Sequence, residues 1–206
     1  QTARSEKRSI RKAFPQYHPA SMAFEKDSFL THLILGNVAF ARNHPQKMGL
    51  ILLNNLLGGP GLNSRLNLAI REKHGIASSF ELVYQPYSDT GVLAIYLGVD
   101  SKQLEKTIFL VKKELKKLME TRLGIVQLHR AKRQAIGQLA INYQAGINEM
   151  LGIAKSHLYK PLIRTSEEII AEIERIDAKE LQEISNEIFD ETRLSMLIFK
   201  GKKDEK

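Results

Sequence analysis

The chain has 206 residues, 43% hydrophobic and 26% charged, with a formal net charge of +8 and no cysteine. That length suits one domain with a substantial core, and the balance is that of a globular chain: it is not disordered, and no apolar run reaches membrane-spanning length. The missing cysteines exclude disulfides, thiol nucleophiles and thiolate metal sites together.

The positive charge is spread over Arg4, Lys7, Arg8, Arg11 and Lys12, over Lys112, Lys113, Lys116 and Lys117, and over Lys200, Lys202 and Lys203. No aromatic residues interleave with these clusters, and no helix-turn-helix or zinc-finger spacing occurs, so no nucleic-acid partner is expected. Residues 1–23 are polar and basic, with Pro15 and Pro19 but no periodicity and no apolar signal-like run, and read as a linker or arm. Residues 24–206 read as a single domain.

From Phe29 to Phe40 both alternating sets, His32, Ile34, Gly36, Val38 and Leu33, Leu35, Asn37, Ala39, are mostly apolar, which predicts a central strand. Asn43-His44-Pro45 opens a helix with proline near its first turn, carrying Met48, Leu52 and Leu56 on one face with Ile51 and Leu53 beside it. Gly58-Gly59-Pro60-Gly61 then forces a sharp turn, because the glycines permit positive φ and close approach while proline forbids helix continuation. Asn63 or Ser64 caps a second helix with Leu62, Leu66, Ala69 and Ile70 on one face and Arg65 and Arg71 pointing away, and Gly75 ends it. Strands Ile76–Gln85 and Thr90–Val99 follow, joined by Pro86-Tyr87-Ser88-Asp89.

Asp100 and Gln103 suggest a capping box for an amphipathic helix through Leu104, Ile108, Val111, Leu115 and Leu118. After Gly124 one long helix, with Leu128, Ala131, Ala135 and Leu139, runs towards Met150. Thr165 with Glu168, and Asp177 with Glu180, open two more helices, and Leu194–Phe199 is a final strand. The order is strand, two helices, two strands, four helices, strand. That is α+β, a mainly antiparallel mixed sheet with helices packed on one face.

Three stretches together resemble the pitrilysin/insulinase family of zinc metallopeptidases, which includes mitochondrial processing peptidase. They are Leu53-Asn54-Asn55-Leu56-Leu57-Gly58-Gly59, then Asn63-Ser64-Arg65-Leu66 with Arg71-Glu72-Lys73-His74-Gly75, then Tyr87-Ser88-Asp89-Thr90-Gly91. Lys26-Asp27 before Thr31-His32-Leu33-Ile34-Leu35-Gly36 extends the likeness to nearly the whole chain after residue 24. The resemblance implies one of two similar halves of a clam-shell peptidase of the processing-peptidase type. The active half of such an enzyme carries H-x-x-E-H on a helix, where two imidazoles hold zinc and the glutamate activates water.

That motif is absent: His18, His32, His44, His74, His129 and His157 include no such pair. His32 reads as a hydrogen-bonded strand residue, His74 as a helix-end cation, and the other four have no partner in the pattern. No G-x-S-x-G elbow occurs, and no Lys-Ser/Thr follows the glycine turn to make a phosphate cradle. The resemblance therefore implies a zinc-free, C-terminal half with no catalytic residue, no metal ligand and no cofactor of its own. Zinc belongs to a homologous partner half, upstream in the same polypeptide or on a separate subunit.

The family's zinc-free half resembles R-E-K-x-G-x-x-Y at a helix-to-strand segment, whose Arg and Tyr are associated with bound peptide. Here Arg71 supplies the first position and Ser78 stands where the tyrosine would be. Arg71, and secondarily Ser78, are the expected substrate contacts. The implied function is the chamber wall opposite the zinc, helping to bind extended peptides; the alternative is an inactive peptidase-like scaffold or interaction subunit.

Overall fold

A computed structural model describes residues 16–60, 63–144, 146–159 and 165–201, the side chains of residues 77, 78 and 159 excepted. β1 (Ser21–Lys26), β2 (Thr31–Ala39), β3 (Ala77–Pro86), β4 (Gly91–Val99) and β5 (Ser195–Gly201) form one sheet in the order β1-β5-β2-β4-β3. Only the β1–β5 pairing is parallel. The sheet is thus mixed and mainly antiparallel, as the α+β reading expects.

The helices are α1 (Lys47–Gly58), α2 (Arg65–Asn67), α3 (Leu104–Glu120), α4 (Ile125–Gln144), α5 (Gly146–Tyr159), α6 (Ser166–Arg175) and α7 (Ala178–Ile188). In β2 the set Thr31, Leu33, Leu35, Asn37, Ala39 is buried, while Ile34 is exposed and His32, Gly36 and Val38 are half-buried. Period-two alternation places the buried set on one face. There Leu33 and Leu35 meet Leu93, Ile95 and Leu97 of β4, with Leu50, Leu53 and Leu57 of α1, Val111 and Leu115 of α3, and Leu181, Ile184 and Ile188 of α7, none more than 2% exposed. Asn37 ties the layers together by donating from Nδ2 to the Ile188 carbonyl at 2.8 Å. β2 is the middle strand, as its apolar character implies, yet only one of its faces lies beneath helices.

Several local expectations are corrected. β1 falls where no periodicity signals a strand: all six of its residues are exposed, and it is held at the sheet edge by pairing with β5. α1 starts at Lys47 rather than at Pro45, and Ile51 is 38% exposed. Gly59 has φ −57°, so α1 does not end through a left-handed glycine there; Gly61 and Leu62 lie outside the described residues. The helix expected to run on towards Met150 is two helices, α4 and α5, on either side of residue 145.

The expected capping box forms in full at Thr165 and Glu168, Asp177 caps α7 with its own side chain, Asp100 bonds Lys102 rather than joining Gln103 in a box, and Ser64 makes no cap bond. Thr165 Oγ1 accepts from the Glu168 N–H and Glu168 Oε2 accepts from the Thr165 N–H, a full capping box on α6. Asp177 accepts from Glu180 N–H to open α7, and Asp100 accepts from Lys102 N–H to open a 3₁₀ turn that leads into α3. Three lysines of the α3 face are in ion pairs, Lys112 with Glu191, Lys116 with Glu120 and Lys117 with Glu114.

Candidate functional site

Arg71 lies in an irregular helix end. α2 passes into a π-helical turn, Leu68–Glu72, in which the Lys73 N–H reaches back to the Leu68 carbonyl at 3.1 Å. Turns of this kind widen the helix by one residue and often occur at functional sites. Leu66, Ala69 and Ile70 face the core and Arg71 is exposed. Gly75, at φ +62°, reverses the chain, with its N–H bonded to the Arg71 carbonyl and the Ile76 N–H to the Ile70 carbonyl. The chain then enters β3, an edge strand. Ser78 is the extra residue of a bulge there, because Ala77 pairs with Val99 and Ser79 with Gly98. Its side chain lies outside what the structure describes, so Arg71 and Ser78 share a helix-to-strand segment without a side-chain geometry that relates them.

Arg65 departs from the sequence reading. It is half-buried, not directed away, and burial lowers its pKa while Glu114 pulls it back up. Ser64 is the residue before α2, but its hydroxyl makes no cap bond.

The six histidines are dispersed. His18, His74, His129 and His157 are exposed. His32 is bonded through Nδ1 to Tyr96 OH at 2.8 Å. His44, which has no evident partner in the sequence, stacks on Phe40 at 3.9 Å and accepts from the Gln46 N–H. Among the described residues no group of three or more His, Cys, Asp or Glu could hold a metal ion.

The larger feature is the sheet face opposite the helices. Cross-strand pairing sets its side chains in rows. One row runs Phe24, Phe199, His32, Gly98; the next runs Met22, Leu197, Ile34, Tyr96, Glu81; the next Ser195, Gly36, Ala94, Val83; the last Val38, Val92, Gln85. Met22, Phe24, Ile34, Val83 and Val92 are between 39% and 54% exposed. Isolated exposed apolar residues are ordinary on protein surfaces, but a contiguous sheet face of them marks an interaction surface. It encloses a hollow of about 460 Å³ bordered by Tyr17, Met22, Ile34, Val38, Val92 and Leu197.

The profile of the peptidase M16 inactive domain matches residues 2–135. The chain belongs to this family. An uncharacterized zinc protease of Bacillus subtilis, YmxG, is 28% identical over 184 residues, covering 89% of this chain and 45% of its own length. The mitochondrial-processing peptidase subunit alpha of Bos taurus is 27% identical over 126 residues, covering 56% of this chain and 24% of its own. A solved M16 inactive domain from Pseudomonas fluorescens superimposes with TM-score 0.81 at 20% identity, covering 95% of this chain and 47% of that one. The chain thus spans less than half the length of these relatives, and the last likeness carries the fold alone.

Two features of this M16 inactive domain escape a reading of its sequence. The uncovered face was hidden because both faces of β2 are apolar, and composition does not say which one the helices take. Lys132 was hidden because a lysine on an amphipathic helix reads as solvated. It is only 9% exposed, and its ammonium donates to the Glu174 carbonyl at 2.7 Å, pinning α4 to the end of α6.

Proposed function

We propose that this M16 inactive domain is the non-catalytic half of a zinc-dependent metalloendopeptidase, forming the wall of the substrate chamber opposite the zinc. The observation that carries the reading is the sheet covered by helices on one side only, with its other, apolar face left open among the described residues. A self-contained domain with a layered core buries such a face; a half that closes on a homologous half presents it to the enclosed space.

In this reading the partner half holds zinc and a metal-activated water supplies the hydrolysis, while this chain contributes binding. Arg71, exposed at the turn into an edge strand, offers a planar fork of donors to carbonyls of an extended peptide. Ser78 at the bulge is a weaker contact, being too short to reach as a phenol would. The alternative, an inactive scaffold that keeps the fold, is favoured by that serine.

The test is to express the chain alone and together with the homologous half encoded upstream or in the neighbouring gene, and to follow an internally quenched peptide. No cleavage by the chain alone and zinc-dependent cleavage by the pair are expected. Zinc-dependent cleavage by the isolated chain would overturn the assignment, and a partner half lacking H-x-x-E-H, with an inactive pair, would favour the scaffold.

A further inference from the structure

We infer that the hollow on the uncovered face is a trench that takes two bulky apolar side chains of an extended peptide, at positions i and i+2. The inference rests on the chamber-wall reading and adds a substrate preference to it. The trench is built by side-chain size. Its floor is a row of small residues crossing the sheet at right angles to the strands: Ser195, Gly36 and Ala94 in register, with Ala20 bonded beside them through its N–H to Ser195 Oγ. One wall is the row Met22, Leu197, Ile34. The other is Val38 with Val92, continued by Tyr17, whose hydroxyl lies 2.5 Å from Ser195 Oγ.

Dimensions decide what fits. The walls stand four residues apart along the strands, about 13 Å between backbone rows, and the thickness of the wall side chains narrows this further. A helix, about 10–12 Å across, is too wide. One file of side chains is not. Across β1, β5, β2 and β4 the trench runs three inter-strand spacings, about 14 Å, and an extended peptide sets its same-face side chains about 7 Å apart, so two enter together. The hollow of about 460 Å³ has no charged residue in its lining, so it offers an acidic or basic side chain no partner and favours apolar ones. Gly36 is fixed in the floor, since a Cβ there would sit 2.9 Å from the Leu93 carbonyl oxygen.

Methyl-detected NMR of the 206-residue chain tests this with the acetylated, amidated pentapeptide Ala-Phe-Ala-Leu-Ala as probe. Saturable shifts at the methyls of Met22, Ile34, Val38, Val92 and Leu197 are expected, weakened about tenfold or more in Ala94→Phe, which fills the floor from the solvent side. The same peptide with serine in place of Phe and Leu should shift none of them. Ala94→Ser, which leaves the floor open, should bind as the parent does. The inference is overturned if the apolar probe shifts none of these methyls up to about 10 mM, if Ala94→Phe binds as well as the parent, or if the methyls shift with protein concentration alone, which would make a second copy the occupant. Because no zinc-bearing half is needed, trench binding without cleavage by the reconstituted pair would sink the peptidase reading alone. Cleavage without trench binding would sink only the trench.

Discussion

Gly58 lies so close to Leu82 that a Cβ on the glycine would sit 2.4 Å from Leu82 Cβ and 2.8 Å from its Cδ2. The last turn of α1 is thereby seated directly on β3. Leu82 Cβ belongs to the strand and cannot yield as the tip of a long side chain can. Gly58→Ala is therefore expected to destabilise the domain by about 1–3 kcal/mol, the usual range for overpacking. The measurement is the urea midpoint at unchanged slope. Gly137→Ala is the opposite case: it lies within α4 with nothing within 4 Å of an added Cβ, and it should gain up to about 1 kcal/mol from helix propensity. Equal midpoints for Gly58→Ala and the parent would show that α1 does not rest on β3 this way.

The glycine turn shows how far sequence reasoning reaches. Close approach at Gly58 and the left-handed end at Gly75 follow from residue type, and Gly75 is in place at φ +62°. The capping box at Thr165 and Glu168 is likewise local, set by two side chains three residues apart. β1 is not local: its residues are exposed, and only the distant register Ser21↔Met196 through Lys26↔Gly201 makes them a strand. The trench is less local still, since Ser195, Gly36 and Ala94 meet only through pairing across three strands. Arg71 is proposed from a motif alone, whereas the π-helical turn that carries it depends on a single shifted hydrogen bond, from Lys73 to Leu68, that no pattern announces.

Tyr84 gives the fold an alkaline limit. Its hydroxyl donates to the Phe40 carbonyl at 2.7 Å, and burial pushes its pKa up to about 12. The unfolded chain ionises near 10, so between about pH 10 and pH 12 the folded state holds the proton that the unfolded state has lost. This contribution to stability is complete below about pH 10 and falls as pH rises towards 12. Tyr84→Phe should remove that part of the slope, at a cost of about 1 kcal/mol near neutrality for the lost hydrogen bond. Urea titrations at pH 8, 10 and 11 test it, and an unchanged alkaline slope in Tyr84→Phe would refute the assignment.

Lys132 and Lys112 should respond to mutation with different magnitudes although both are lysines on helices. The Glu174 carbonyl that Lys132 binds is in the last turn of α6, where carbonyls lack helical partners, and the ammonium there is nearly buried. Lys132→Met keeps the volume and leaves that carbonyl unpaired, for an expected loss of about 1–3 kcal/mol. Lys112 pairs with Glu191 with side chains 40% and 48% exposed, and Lys112→Met should change stability by less than about 1 kcal/mol. Thermal unfolding of both variants checks the contrast; similar shifts in Tm would mean that the Lys132 contact is not made.

Arg71 should separate binding from folding. It is exposed, and among the described residues no ion pair or hydrogen bond engages its guanidinium, so Arg71→Ala should leave stability within about 0.5 kcal/mol of the parent. With the zinc-bearing half present, the same change should lower kcat/KM for an extended peptide about 10- to 100-fold, the effect of about 1.4–2.8 kcal/mol of lost transition-state binding. Arg71→Lys keeps the charge but not the planar fork, and should recover only part of that loss. Ala94→Phe, which blocks the trench, should instead act mainly on KM and only for peptides with bulky apolar side chains, because side chains held away from the scissile bond bind equally in the ground and transition states. An Arg71→Ala variant that stays folded and cleaves as the parent does would refute Arg71 as a substrate contact.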